Sequence, residues 1–417
     1  MRFYFKCTIC SAEYGAGDVN YVCPKHGDEG VLDTILDYTA VPPNPGTALR
    51  YPSHSMWRYL NLLPTDSPKI ESGVSDSNPF TDVGWTPLYH ARRLGGSLGL
   101  SNLFIKDEGR NPSASLKDRA SAFVVAKAIE RGERMITTAS SGNAGAALAC
   151  MAASVGMDAV IFVPESAPQA KIAQLLMFGA TVLLVKGTYD DAFDLCLKAS
   201  KEFGWYCRNT AYNPFTIEGK KTVAFEICEQ LNWRAPDRVF VSVGDGNIIS
   251  GVWKGFRDLQ ALGWIKRLPK LIGVQAEGSD ACYRAWRRMQ SPSDTIRIEP
   301  VSANTIADSI SVGLPRDGAR AVRAVAETGG EFITVGDADI LRAMKVMATQ
   351  TGVFAEPAGA ASFAGLQKML TAGDYDRSET IVVIASGNGL KDIPAAMKSA
   401  GQAKVITPTL EAVKQAL

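Results

Sequence analysis

The residues around Lys117 suggest that this lysine takes part in a reaction. It lies in "NPSASLKDRA" (111–120), after a run of small or polar residues and before "DRASAFVVAKAIERG", whose apolar spacing predicts a helix. A cation is disfavoured at a helix N-terminus, because the positive end of the helix dipole lies there. An amine so placed has a lowered pKa and is a better nucleophile. A solvated surface lysine is the alternative, so the rest of the chain must decide between the two.

Three glycine-containing loops could supply partners for this lysine. They read "SSGNAG" (140–145), "VGDGNIISG" (243–251) and "ASGNGLKD" (385–392), and each follows an apolar strand-like run. Glycines in the second loop permit a nest of backbone amides that can hold a phosphate. That loop matches neither the P-loop nor the dinucleotide-binding fingerprint. Asn143 in the first loop offers both a donor and an acceptor.

Histidine is scarce, and this narrows the chemistry. The three histidines are His26, His54 and His90, none of them in a glycine-rich loop. Mechanisms that need an imidazole beside a serine or cysteine nucleophile are therefore disfavoured. Pyridoxal phosphate requires a lysine for its aldehyde, amides for its phosphate and no histidine, and its ring is an electron sink. The sequence predicts pyridoxal 5'-phosphate as the cofactor, with the freed lysine as the proton shuttle.

Apolar, β-branched runs alternate with helical segments from about residue 102 onwards. Examples are "DAVIFVP" (158–164), "RVFVSVG" (238–244) and "TIVVIASG" (380–387). This alternation predicts an α/β fold with parallel sheets that helices cover on both faces. Such sheets bind ligands at the carboxyl ends of their strands, which is where the three loops fall.

The first 40 residues carry a separate pattern. Cys7 and Cys10 form one short pair and Cys23 and His26 form another, a spacing typical of a zinc ribbon with a tetrahedral Cys3His site. Four protein ligands leave no open position, so a zinc ion here would be structural. The alternative is a small reduced hairpin that binds no metal.

Composition excludes several classes of partner. The 417 residues carry a net charge of +1 with 21% charged residues, so there is no basic surplus for nucleic acid or an anionic membrane. No signal peptide and no membrane-spanning run is apparent. We expect a cytoplasmic enzyme with a small-molecule substrate and with neither nucleic-acid nor membrane partners.

The residues of several motifs resemble those of one protein family. "NPSASLKDR", "SSGNAG", "NPFTIEGKKTVAFEI", "VGDGNIISGVWKGF" and "ASGNGLKD" are similar to the threonine synthase family, within the fold-type-II pyridoxal phosphate enzymes of the tryptophan-synthase-β kind. The resemblance implies two parallel-sheet βα domains, a zinc-ribbon-like N-terminal segment and a homodimer. The implied boundaries are 1–40 for the ribbon, 41–82 for an arm, 118–213 for the smaller domain, 83–117 with 214–400 for the larger domain, and 401–417 for the tail.

The resemblance also implies roles for individual residues. Lys117 would be the catalytic Schiff-base lysine, Asn143 would bond the phenolic oxygen of the cofactor, and Ser386 would bond its pyridine nitrogen. The cofactor phosphate would be held by Gly244, Asp245, Gly246, Asn247 and Ile248. We expect Ser140, Ser141 and Thr216 to contact the substrate.

Departures from the family pattern concern the substrate. The family reads N-P-x-R-x-E-G-x-K-T, and its arginine helps to hold the phosphate of O-phosphohomoserine, but this chain has Thr216 there. Asp245 and Ile248 also replace asparagines. Loss of a bidentate phosphate partner costs about 2–3 kcal/mol. Arg316, Lys220 or Lys221 could substitute for it.

Three functions follow from these observations. The family default is a lyase that converts O-phospho-L-homoserine and water to L-threonine and phosphate. The alternative is a paralogue that performs β-elimination or β-replacement on a serine- or threonine-like substrate, as dehydratases and ammonia-lyases do. A catalytically inactive binding protein is disfavoured, because Lys117, Asn143 and Ser386 occur together.

Overall fold

The computed structural model of the chain describes residues 3–39, 41–49, 54–65, 77–140, 142–167, 169–291, 296–373 and 376–417, and within them it contains three β-sheets. The strands, in chain order, are β1 (Phe3–Cys7), β2 (Glu13–Gly15), β3 (Leu32–Leu36), β4 (Leu88–His90), β5 (Asn102–Asp107), β6 (Met135–Ala139), β7 (Asp158–Pro164), β8 (Thr181–Val185), β9 (Tyr206–Cys207), β10 (Arg238–Ser242), β11 (Lys270–Ala276), β12 (Glu331–Val335) and β13 (Thr380–Ala385).

Helices separate most of these strands. They are α1 (Pro45–Ala48), α2 (Arg92–Leu98), α3 (Lys117–Arg131), α4 (Asn143–Ser154), α5 (Gln169–Met177), α6 (Tyr189–Phe203), α7 (Phe215–Gln230), α8 (Asn247–Ala261), α9 (Ala281–Arg288), α10 (Gly318–Glu327), α11 (Asp337–Thr351), α12 (Pro357–Ala372), α13 (Ile393–Ala400) and α14 (Leu410–Ala416). Short 3-10 segments occur at Gly27–Glu29, Met56–Leu62, Glu108–Arg110, Asp308–Ile310 and Gly389–Lys391.

The two larger sheets are built as the βα alternation predicts. One has the order β8-β7-β6-β9, and all of its strands are parallel. The other has the order β12-β11-β10-β13-β5-β4, in which only the edge strand β4 is antiparallel to its neighbour. Strands β10, β11 and β13 are buried almost throughout, as expected of a sheet that helices cover on both faces. The predicted α/β class is confirmed.

The predicted domain limits stay a prediction, but the sheets fall inside them. The four parallel strands lie between residues 135 and 207, and the six-stranded sheet takes its strands from residues 88–107 and 238–385. The N-terminal segment forms a separate antiparallel sheet of order β2-β1-β3. Among the described residues, no helix combines the length and the apolar character that crossing a membrane requires.

A fully buried ion network fixes the start of α3. The Arg119 guanidinium donates through Nε to Glu108 Oε2 at 2.7 Å and through Nη1 to Glu226 Oε1 at 2.6 Å. Lys106 Nζ donates to Glu226 Oε2 at 2.7 Å. Such pairs are sensitive to the loss of one partner, because the remaining charge stays buried. The network thus holds the first turn of α3, where Lys117 lies, against strand β5 and helix α7.

Candidate functional site

A cavity of about 290 Å³ lies at the carboxyl ends of β6, β7, β10 and β13, between the two parallel sheets. All eight residues predicted to hold a cofactor line this cavity, although they come from four separate parts of the chain. They are Lys117, Asn143, Gly244, Asp245, Gly246, Asn247, Ile248 and Ser386. The rule that parallel sheets bind ligands at their carboxyl ends therefore locates the cavity correctly.

Lys117 is the first residue of α3, and its side chain opens into the cavity. Burial lowers the pKa of the Lys117 amine from 10.5 to about 8, and the nearby Glu356 carboxyl offsets part of that decrease. About a tenth of the amine is therefore unprotonated at pH 7, far more than for a lysine with an ordinary pKa. This is the state that attacks an aldehyde or accepts a proton from carbon.

The loop from Gly244 to Ile248 forms a cradle that admits no additional side chain at its glycines. Gly246 has a φ of +90°, and a Cβ there would lie 2.8 Å from the Asp317 carbonyl oxygen. A Cβ on Gly244 would lie 2.9 Å from Ile310 Cα. Helix α8 begins at Asn247, so its free backbone N–H groups face the cradle. A helix N-terminus after a glycine turn suits the phosphate of the predicted cofactor.

Asn143 and Ser386 also line the cavity, and Glu356 is bonded to Asn143 and to Gly387, the residue after Ser386. Asn143 Nδ2 donates to Glu356 Oε1 at 2.6 Å, and the Glu356 backbone N–H donates to the Gly387 carbonyl at 3.0 Å. Burial raises the pKa of Glu356. The Leu116 N–H donates to the Ser386 carbonyl at 2.9 Å, which joins this loop to the residue before Lys117. The amine, amide, hydroxyl and phosphate cradle thus line one cavity, so the residues present fit pyridoxal phosphate.

The three residues expected to contact the substrate do not all lie in the cavity. Ser140 lines the cavity, and its Oγ accepts from the Gly142 N–H at 3.1 Å. Ser141 lies outside the described residues. Thr216 is fully buried in the first turn of α7, where its hydroxyl donates to the Asn213 carbonyl at 2.9 Å, and it is absent from the cavity lining. The structure gives no support to a substrate role for Thr216.

Only one of the three cations considered as a replacement for the arginine reaches the cavity. Arg316 is bound to Asp190, with its Nη2 2.6 Å from Oδ1. Lys221 pairs with Glu218 and Asp258 at 2.7 and 2.8 Å. Lys220 lines the cavity, and its Nζ donates to Asn247 Oδ1 beside the phosphate cradle.

Several residues of the cavity were not singled out from the sequence. Among them are Tyr189, Thr210, Asp308, Ser309 and Glu356. Two of these residues could have been found from the sequence. Thr210 lies just beyond strand β9, and Glu356 lies just before Pro357, the first residue of α12. Asp308 and Ser309 lie in a 3-10 segment that is too short to produce a periodic pattern in the sequence. Asp308, which lines the cavity, forms an ion pair with Lys171 of α5.

The four N-terminal ligand candidates form a single cluster. One ligand atom from each of Cys7, Cys10, Cys23 and His26 lies within 4.8 Å of all the others. The Sγ atoms of Cys10 and Cys23 are 3.9 Å apart, and tetrahedral zinc with bonds of about 2.3 Å separates its sulfur ligands by about 3.8 Å. His26 Nε2 is buried and has no hydrogen-bond partner in the part of the chain that the structure describes. The cluster fits a four-coordinate zinc ion.

Comparisons with known proteins agree with this site. The family described as pyridoxal-phosphate dependent enzyme matches residues 80–387. The threonine synthase of Methanocaldococcus jannaschii is 38% identical over 415 residues, which are 99% of this chain and 98% of that protein. The threonine synthase of Methanosarcina acetivorans is 36% identical and covers 100% of this chain and 98% of its own length. The processed form of threonine deaminase isoform 2 from Solanum lycopersicum superposes with a TM-score of 0.65 at 25% identity, over 81% of this chain and 95% of that one.

Proposed function

The chain belongs to the pyridoxal-phosphate-dependent enzymes, among their threonine-synthase-like members, and we propose that its central cavity binds the cofactor through the residues predicted from the sequence. Lys117 holds the cofactor aldehyde, Asn143 its phenolic oxygen, the 244–248 loop its phosphate and Ser386 its pyridine nitrogen. The observation that carries this proposal is the convergence of all these groups on one cavity beside an amine whose pKa is about 8.

The residues of the chain then have defined tasks. When bound, pyridoxal phosphate supplies an electron sink that stabilises negative charge at the α carbon of an amino acid. Lys117 Nζ removes the α proton and later returns a proton to carbon. The N-terminus of α4 and Ser140 face the substrate carboxylate, which suits the positive end of the helix dipole. Ser386 would be the partner of the pyridine nitrogen, and a neutral hydroxyl there would favour elimination and replacement over transamination.

Two substrate classes remain as candidates. The relatives named threonine synthase support O-phospho-L-homoserine with water as the nucleophile, which gives L-threonine and phosphate. The alternative is elimination or replacement at the β carbon of a serine- or threonine-like substrate. The pairing of Arg316 and Lys221 with acidic side chains favours it, because neither cation is then free to hold a substrate phosphate. The structural similarity to a threonine deaminase is in keeping with that alternative.

One assay separates these candidates. The purified protein is given O-phosphohomoserine, O-phosphoserine, serine or threonine, and phosphate, ammonia and keto acid are scored separately. Phosphate with threonine indicates the family default, and ammonia with a keto acid indicates the lyase. Borohydride reduction should attach the cofactor to the peptide that contains Lys117. A Lys117→Ala protein that bound and turned over normally would refute the assignment.

We also propose that the N-terminal cluster binds one structural zinc ion. Metal analysis should find about one zinc per chain, as the four-ligand rule requires. Cys23→Ser should lose the metal, whereas Cys282→Ser, a buried thiol outside the cluster, should keep it. Moderate chelation should leave activity intact, because the reacting groups lie in a different sheet. Zinc that survives Cys23→Ser at full occupancy would contradict the proposed ligand set.

A homodimer is the proposed assembly, and the resemblance to threonine synthases supports it. Light scattering of the purified protein tests it through the mass in solution. The cytoplasmic location, the absence of nucleic-acid and membrane partners and the domain limits stay predictions.

A further inference from the structure

The Asn247 side chain, at the start of α8, is held between two charged groups. Its Oδ1 accepts a hydrogen bond from Lys220 Nζ, and its Nδ2 donates to Asp317 Oδ2 at 2.8 Å. All three side chains are buried. A lysine ammonium can only donate and an ionised aspartate can only accept, so a reversed amide would bring donor to donor and acceptor to acceptor. The two charges therefore fix Asn247 in one orientation, within the loop that is proposed to hold the cofactor phosphate.

Asp317 also supports the backbone of that loop. Its N–H donates to the Asp245 carbonyl at 2.9 Å. Its own carbonyl oxygen lies so close to Gly246 that a Cβ there would be 2.8 Å from it. One residue outside the loop thus contacts three successive residues of the loop, the third being Asn247. A shift of Asp317 would therefore shift the whole loop.

Arg320 balances the charge of Asp317. Its Nε, near the start of α10, lies 3.3 Å from Asp317 Oδ1, and both side chains are almost completely buried. Burial raises the pKa of Asp317, and Arg320 is the largest influence that opposes this rise. An unbalanced carboxylate behind the loop would repel a phosphate, because opposition between like charges is strong in a poorly solvated place. The guanidinium therefore allows a carboxylate to orient Asn247 without repelling the anion.

The same guanidinium reaches the N-terminal sheet. Its Nη1 lies 3.3 Å from Asp33 Oδ1, and its Nη2 donates to the Leu32 carbonyl at 3.3 Å. Both of these residues belong to β3, which carries none of the four zinc-ligand candidates, so the contacts are separate from the metal site. A continuous set of contacts thus runs from β3 through Arg320 and Asp317 to Asn247.

We propose that Asp317 and Arg320 are positioning residues for the phosphate of the cofactor, and that β3 of the N-terminal sheet steadies them through Asp33. The proposal rests on the proposed function, because it takes the 244–248 loop as the phosphate cradle. The effect of both residues passes through the Asn247 side chain and the loop backbone. Their loss should therefore weaken the binding of a ligand that carries the phosphate and spare a ligand that lacks it.

The test titrates the cofactor-free protein with pyridoxal phosphate or with pyridoxal and follows the absorbance of the bound aldehyde. In Arg320→Met, the dissociation constant for pyridoxal phosphate should rise about tenfold or more, as expected when a buried charged group loses its partner. The dissociation constant for pyridoxal should change less than about threefold, because the cradle takes no part in holding it. Arg320→Lys should recover part of the loss, since it restores the charge without the forked geometry.

Arg257→Met is the matched control. Arg257 of α8 pairs with Glu327 of α10 at 3.8 Å, so it joins the same two helices, but it lies about 15 Å along α8 from the cradle. It should leave both dissociation constants unchanged, because an exposed ion pair contributes little. Asp33→Ala tests the part of β3. It should raise the dissociation constant for pyridoxal phosphate about three- to fivefold, the scale of one partly buried ion pair, and leave that for pyridoxal unchanged.

Two results would overturn the proposal. One is a folded Arg320→Met protein that binds pyridoxal phosphate as tightly as the wild type does. The other is an equal weakening for the two aldehydes, which would show general damage to the fold. If Arg320→Met does not fold, Arg320→Lys and Asp33→Ala decide by the same two criteria. The wild type tests the proposed function separately, because equal affinity for the two aldehydes would show that the 244–248 loop holds no phosphate, whatever the variants do.

Discussion

The burial of Lys117 should destabilise the protein in the absence of its cofactor, and the size of the effect should depend on pH. The pKa of this amine falls from 10.5 to about 8 in the folded chain. Below pH 8 the folded and unfolded chains both carry the proton, but the folded chain holds it in a poorly solvated place. The cost is about 3 kcal/mol, because each tenfold loss of proton affinity corresponds to about 1.36 kcal/mol.

The sign follows from proton binding. Between pH 8 and 10.5 the unfolded chain binds more protons at this site than the folded chain does, so stability rises with pH in that range. Lys117→Met removes the charge and keeps a side chain of similar length. The cofactor-free variant should therefore be the more stable protein at pH 7 by about 3 kcal/mol, and by less than about 1 kcal/mol at pH 10.

Thermal unfolding of the cofactor-free proteins measures this difference. For a chain of this length that unfolds as one unit, the entropy of unfolding is about 0.9 kcal/mol/K, so the gain in Tm should be about 3–4 °C at pH 7 and about 1 °C at pH 10. Lys398→Met, at an exposed position of α13, should change Tm equally at the two pH values. A Lys117→Met gain that does not depend on pH would refute the argument, because it would come from packing and not from a buried charge.

Three further changes test the elements around the site. Arg119→Met should lower the free energy of unfolding by about 3–5 kcal/mol in urea titrations, because it removes the cation paired with buried Glu108 and leaves Lys106 as the partner of buried Glu226. Gly246→Ala should abolish cofactor binding measured by absorbance, since its φ of +90° and the nearby Asp317 carbonyl leave no room for a Cβ; a variant that binds normally would show that the cradle is elsewhere. Asn143→Ala should weaken cofactor binding about 10-fold or more, the cost of one hydrogen bond and of an unpaired Glu356.

The parallel sheets and the cavity could be predicted because they depend on local patterns. An apolar run such as "TIVVIA" is long enough to be buried on both faces, and it forms β13 within its expected limits. The helix expected after the small-residue loop begins at Lys117 itself. Loops after such strands meet at one edge of a sheet, so the residues at 143, 244–248 and 386 could be grouped from the sequence alone.

The sequence could not show which of the neighbouring cations faces the cavity. Lys220 and Lys221 are adjacent on α7, and successive residues of a helix point about 100° apart. One therefore faces the cavity, whereas the other pairs with Glu218 and Asp258. The helix is buried on nearly every side, so its sequence does not show which face points to the cavity. Arg316 is bound by Asp190, 126 residues away along the chain, and no local pattern indicates that pairing.

Position 216 shows why a motif departure is a poor measure of lost function. Replacement of the expected arginine by threonine predicts a missing charge, and that interpretation assumes that the side chain faces the substrate. In the structure the first turn of α7 directs the Thr216 hydroxyl back to the Asn213 carbonyl, within a fully buried region. Position 216 is also absent from the residues that line the cavity. The identity of the residue there therefore says little about which substrate the cavity accepts.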